Sequence, residues 1–202
     1  MSATAPQNSS SLPEVQARLQ TYLTSIFSDK LFVLPSNAWE YGLTFGLRRE
    51  NATEIFKTLR DDPKLLFNFL MDVTCVDWLD RREPRFDVVY QLFSLSYSTR
   101  LSVKIQVPED QPEVDSLVSL WAGANFLERE VWDMYGIKFK GHPDLRRILM
   151  YDEFVGHPLR KDYPLRGKQP RVTMRIPELR NTSDDMYREQ LVAMPKRKKA
   201  LS

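Results

Sequence analysis

His142 and His157 are the only histidines in 202 residues, and each stands inside a Gly-His-Pro triplet: "GHPDLRRIL" begins at Gly141 and "GHPLRKDYPL" at Gly156. Two imidazoles could bind a metal ion or pass a proton. No third ligand follows either one at a suitable spacing. The alternative is a pair of turns in which glycine permits an unusual backbone angle, Pro143 and Pro158 fix the next one, and the ring hydrogen-bonds locally; this is the better supported reading. Upstream, Glu128, Arg129, Glu130 and Asp133 form the densest charge cluster. On a helix, residues three apart share a face, so Glu130 and Asp133 could act as a general acid and base. Arg129 between the acids, and the basic residues downstream, favour ion pairing on a helix face instead.

Other chemistries lack their ligands. Cys75 is the single cysteine and lies among apolar neighbours in "FLMDVTCVDWL". One thiol cannot hold an iron–sulfur cluster or a disulfide framework. Cys75, Trp78, Trp121 and Trp132 are expected to pack. A carboxylate-rich Mg²⁺ or Ca²⁺ site is left open by the counts, although no EF-hand spacing occurs. Neither GxGxxG nor GxxxxGK[ST] is present, so nothing advertises a dinucleotide or nucleoside triphosphate.

The charge is unevenly placed. Residues 1–135 hold 13 Lys+Arg against 19 Asp+Glu, a balance of −6, whereas residues 136–202 hold 16 against 8, or +8; together these give the net +2. An acidic body with a basic, proline-bearing extension calls for a partner for the extension. Phosphate is a weak candidate, because aromatics for base stacking are scarce among Arg160, Lys161, Arg166, Lys168, Arg171, Arg175 and the terminal "KRKK". Arginines forking onto the carboxylates of a neighbouring subunit fit better.

Residues 13–28 carry Val15, Leu19, Tyr22, Leu23 and Ile26 at helical spacing. Residues 39–47 alternate like a strand, and "NATEIFKTLRDDP" reads as a helix capped by Asn51 and stopped by Pro63. Residues 64–79 begin as a buried helix and end as a strand or turn near Val76. Residues 85–97 and 100–108 make a hairpin, with Leu101, Val103, Ile105 and Val107 on the core side. From Asp115 two short helices are expected, broken at 122–125, with Asn125 capping the second. The chain can bury one core of about 150 residues. Residues 1–12 are read as a disordered cytoplasmic tail, 13–140 as one domain and 141–202 as an extended arm too poor in apolar runs to make its own core. No apolar run of 18 residues and no secretory leader is seen.

The stretch Glu128-Arg129-Glu130, two residues, Asp133, Met134-Tyr135, six residues, His142, three residues, Arg146, one residue, Ile148-Leu149 resembles the signature of the 30-kilodalton subunit family of respiratory complex I, the C-type subunit of NADH:quinone oxidoreductase. "GHPLRKDYPL" continues it, and "LRDDPKLLFNFLMDVTCVDW", "FDVVYQLFSL", "RLSVKIQVPED" and "SLWAGANFLERE" match in order upstream, so the likeness covers roughly 50–168. The resemblance implies an α+β fold, a mixed sheet covered by helices, and an arm that wraps its neighbours in the quinone-proximal peripheral part of the complex. It implies a subunit of a proton-translocating enzyme with no catalytic centre, cofactor or metal of its own, FMN, iron–sulfur clusters and quinone being held by other subunits. The partners implied are the 49-kilodalton-type quinone-site subunit and adjacent iron–sulfur subunits, on the cytoplasmic face of a bacterial inner membrane, with no nucleic acid. Motif and subunit-interface residues would be Glu128, Arg129, Glu130, Asp133, His142, Pro143, Asp144, Arg146, Arg147, His157, Pro158, Arg160, Lys161, Asp162 and Tyr163. An equivalent subunit of a ferredoxin- or F420-linked dehydrogenase or a membrane hydrogenase is the alternative within the family, and a basic-tailed nucleic-acid-binding protein the alternative outside it.

Overall fold

A computed structural model of the chain describes residues 12–27, 30–33, 43–166 and 169. The fold is α+β. Five strands form one mixed sheet in the order β1-β2-β5-β4-β3: β1 (Leu31–Val33), β2 (Leu43–Leu47), β5 (Thr99–Val107), β4 (Phe86–Ser94) and β3 (Phe69–Asp77). Only the β2–β5 pair of this sheet is parallel. A separate parallel pair joins β6 (Glu113–Asp115) to β7 (Lys138–Lys140). The helices are α1 (Leu12–Phe27), α2 (Ala52–Asp61) and α3 (Ala124–Tyr135).

The core lies on one face of the sheet. Val88, Tyr90 and Leu92 of β4 stand beside Leu101, Val103 and Ile105 of β5, all buried, as period-two alternation requires. Onto them α2 lays Ala52, Ile55, Phe56 and Leu59, a helical stripe, and the Phe56 ring meets Tyr90 with centroids 4.8 Å apart. Burial of these large side chains contributes roughly 2 kcal/mol apiece. The helix stops at Asp61 because Asp62 precedes a proline and takes an extended ψ of 122°. Asp62 then accepts the Tyr22 hydroxyl at 2.8 Å, which ties α1 to the end of α2.

Several expectations need correction. The strand expected near Val76 is present but runs over the whole of 69–77, and the buried helix expected ahead of it does not form; a register shift between Leu70 and Asp72 breaks the alternation that would have announced the strand's start. Residues 117–121 close a turn through Leu117 O, so the first of the two short helices does not form, and β6 precedes it. Gly123, not Asn125, holds the N-cap position of α3, and Asn51 stands at the N-cap of α2 without a side-chain capping bond. The hairpin of β4 and β5 and the helix over 126–135 are as expected. Of the arm read over 141–202, residues 141–166 and 169 are described and carry no helix or strand, while the remainder, like the tail ahead of Leu12, lies outside the described residues. No helix among the described residues is long and apolar enough to cross a membrane.

Candidate functional site

The motif residues converge where α3 meets the stretch that follows β7. Asp133 on α3 is fully buried. Its Oδ2 accepts three consecutive backbone N–H groups, Ile148 at 3.1 Å, Leu149 at 2.9 Å and Met150 at 2.9 Å, and its Oδ1 accepts Arg147 Nη1. Burial alone would raise the carboxyl's pKa, but the amides of Met150 and Leu149, the Arg147 guanidinium and the Ile148 amide outweigh it and hold the pKa below the ordinary value. Asp133 is therefore a carboxylate with its charge balanced and its lone pairs filled. Arg147 is equally occupied, donating also to Phe154 O at 2.8 Å and Gly156 O at 3.0 Å, with its guanidinium near the rings of Trp132 and Phe154. From the next turn of α3, Arg129 donates to Arg146 O at 3.1 Å and Arg147 O at 3.0 Å.

The two histidines bracket this contact from opposite ends of α3. Asp144 N–H donates to His142 Nδ1 at 3.0 Å, so that nitrogen is an acceptor and Nε2 carries the proton that reaches Asn125 O at 3.1 Å. His157 Nδ1 donates to Asp133 O at 3.0 Å, and Leu159 N–H donates to Met134 O. Its ring lies on Gly136, where a Cβ would stand 2.7 Å away and where φ of +81° already favours glycine. Gly141 and Gly156 also take positive φ, 79° and 92°, as the triplet reading expects.

A second acid holds the stretch further along. Arg85 makes a two-pronged pair with Asp77, both contacts 2.8 Å, and both side chains are buried. Asp77 Oδ2 also accepts Lys161 N–H at 2.8 Å. Around them Arg85 reaches Glu109 and Asp162, and Arg160 reaches the same two acids at 3.1 and 3.2 Å. The Arg85 guanidinium holds the Asp162 carboxyl down at about 2; burial opposes it, and Arg160 adds to the lowering. Asp77, Arg85 and Glu109 are absent from the residues that spacing singles out. The one signal was an aspartate at the inward end of an apolar strand, and its partner in the stretch lies 84 residues on.

Glu128 differs from both. It is fully buried, accepts Ser116 Oγ at 2.6 Å and Leu117 N–H at 2.7 Å, and faces no cation in those contacts; desolvation raises its pKa to about 7. Glu130 is exposed while Asp133 is buried, so the structure does not bring those two together as an acid–base pair. Arg146 is exposed beside Asp144, 2.9 Å away. Pro143 is exposed, Pro158 partly buried, and Tyr163 stacks on Phe154 at 5.9 Å. The charge pattern sends the arginines to a neighbouring subunit, whereas the carboxylates that Arg147 and Arg160 meet here belong to this chain. Cys75 is buried, and desolvation pushes its thiol far above the ordinary value. Trp121 is buried, while Trp78 donates to Asp87 at 2.9 Å. Among the described residues no group of three or more His, Cys, Asp or Glu is placed to hold a metal ion.

Fold and site together define an α+β module whose buried acids bind a stretch of its own chain. The chain belongs to the respiratory-chain NADH dehydrogenase 30-kilodalton subunit family, whose model matches residues 45–169. The C-type subunit of the NADH-quinone oxidoreductase of Roseiflexus castenholzii is 45% identical over 161 residues, covering 80% of this chain and 88% of that one. That of Geobacter metallireducens is 51% identical over 125 residues, covering 62% and 76%. Among solved structures, a trypsin-resistant fragment of Nqo5 matches with 37% identity and a TM-score of 0.56, over 63% of this chain and 99% of that fragment. A chain of an archaeal membrane-bound sulfane sulfur reductase, 20% identical with a TM-score of 0.63, shares the fold.

Proposed function

We propose that the chain is an architectural, non-redox subunit of a proton-translocating NADH:quinone oxidoreductase, placed in the peripheral, quinone-proximal arm. The 49-kilodalton-type subunit and adjacent iron–sulfur subunits are its neighbours. FMN, the clusters and quinone belong to those other subunits, and the chain reaches the cytoplasmic side of the membrane through them. One observation carries the reading beyond family membership. The buried acid and arginine of the motif and both histidines, joined by Asp77 from outside the motif, are spent on fixing the course of residues 144–161, so their chemistry is positioning. A stretch fixed in advance loses less entropy on docking.

The test is recovery of the tagged full chain in mild detergent, followed by mass spectrometry of its companions. Oxidoreductase subunits, including an NADH-binding flavoprotein, are expected. Recovery of the chain alone, or with nucleic acid released steeply by salt, contradicts the proposal.

A further inference from the structure

Four acids are buried among the described residues. Asp77, Asp87 and Asp133 each pair with an arginine, Arg85, Arg82 and Arg147 in turn. Glu128 has only neutral hydrogen-bond partners: its Oε1 accepts Leu117 N–H at 2.7 Å and its Oε2 lies 2.6 Å from Ser116 Oγ. Ser116 Oγ also takes Val118 N–H at 3.3 Å, so this hydroxyl is placed to accept as well as to donate. Two protonation states therefore fit one geometry. The ionised acid receives the Ser116 O–H, whereas the neutral acid gives its own proton to Ser116 Oγ, whose hydrogen then turns to solvent from a partly exposed side chain. The surrounding elements do not relieve a charge on Glu128. Tyr90 of β4 feels it, together with Cys75 of β3 and Asp115 of β6, and the Tyr90 hydroxyl is buried without a partner. Arg60 of α2 is engaged by Asp61 and Leu120 O, Lys140 of β7 by Glu113, and Arg129 of α3 by the carbonyls of Arg146 and Arg147. Burying a carboxylate against neutral donors alone costs far more than burying the acid.

We propose that Glu128 is a proton-controlled latch on the corner where β6 runs into the turn at 117–121: the neutral acid locks that corner onto α3, and loss of its proton to solvent releases it. Opening lets water reach the carboxylate, which the closed corner leaves facing two neutral donors. Desolvation sets the changeover near neutrality, at about 7. The corner stands at a junction. Ser116 N–H donates to Lys140 O at 2.8 Å, so the corner holds the last residue of β7, and Gly141 and His142 follow at once. Helix α3 thus carries a permanent clasp at Asp133, whose charge is balanced, and a switchable one at Glu128.

Hydrogen exchange in the purified full chain tests it, each rate being divided by the intrinsic rate at the same pH. Protection of the Leu117 amide is expected to fall at least about tenfold from about pH 5 to about pH 8.5, the neutral form being the stable one. It should also stay at least about tenfold below that of the β4 amides throughout, because the corner opens without the sheet. In Glu128→Gln the side-chain amide reproduces the neutral acid, donating to Ser116 Oγ and accepting Leu117 N–H, so the fall should vanish. A smaller fall in the native chain overturns the proposal, and so does a fall that persists in Glu128→Gln. Equal protection at Leu117 and in β4 overturns it too, since only global unfolding would then free the acid. Should Glu128→Gln fail to fold, the ¹³C carboxyl shift of Glu128 in the native chain decides in its place: a midpoint of about 7 is expected, and one below about 6 overturns the proposal.

Discussion

The two acids that hold the stretch after β7 do so by different means. Asp133 is met almost wholly by groups of the stretch itself, three adjacent amides and the Arg147 guanidinium, all within 17 residues of it. Asp77 is met chiefly by Arg85 of its own domain and takes one amide, that of Lys161, from the stretch. The first contact is a local clasp whose charge is neutralised by the segment it binds. The second is a preformed ion pair with one coordination place lent to a distant residue and a half-exposed fringe of Glu109 and Asp162. A clasp of the first kind orders its own segment; one of the second kind fixes where the segment ends up.

The comparison ranks the substitutions that would break it. Asp133→Ala leaves Arg147 and three amides without their acceptor, so a loss of roughly 3–5 kcal/mol in urea unfolding is expected, with new protease cleavage between 146 and 156. In Asp77→Ala, Arg85 keeps Glu109 and Asp162, and a smaller loss of roughly 2 kcal/mol is expected, with cleavage confined to the neighbourhood of Lys161. Equal losses would erase the distinction between the two contacts.

Glu128 sharpens the comparison because it is a buried acid without either device. Its raised pKa, about 7 against an ordinary 4.5, means that its contribution is fully present below about pH 4.5 and is lost as pH rises through 7. Glu128→Gln should therefore gain stability relative to the native chain between pH 5 and 8, by on the order of 2 kcal/mol, in melts taken across that range. Asp162 has the opposite sign: its pKa is depressed to about 2, so its support is present above its ordinary value near 3.8 and is lost as pH falls towards 2. Acid titration should thus release the end of the stretch, and Asp162→Asn should blunt that release. The smallest effect belongs to the fringe, where Glu109→Gln should cost below about 1 kcal/mol and vanish in high salt.

What was legible in the sequence follows from the range of each interaction. The β4–β5 hairpin and the stripe on α2 are periodic over a few residues, and the positive φ of Gly141 and Gly156 is local backbone chemistry. The rings expected to bond within their turns do so only at His142 Nδ1, while His142 Nε2 and the His157 ring reach back to the α3 carbonyls of Asn125 and Asp133. In β3 the bulge near Met71 puts two exposed residues in succession and hides the alternation, so the apolar run resembles a helix. The Asp77–Arg85 contact is invisible for another reason: one amide from 84 residues away leaves no mark on spacing. Charge counts point outward to a partner, yet a count cannot tell whether an arginine's carboxylate lies in the same chain.

The central claim is that this protein binds its own stretch before it binds anything else. Hydrogen exchange at the amides of Ile148, Leu149 and Met150 in the purified full chain tests it most directly. Slow exchange that becomes fast in Asp133→Ala, while the β4 amides stay protected, is predicted; exchange at the rates of an unstructured peptide in the native chain would contradict it.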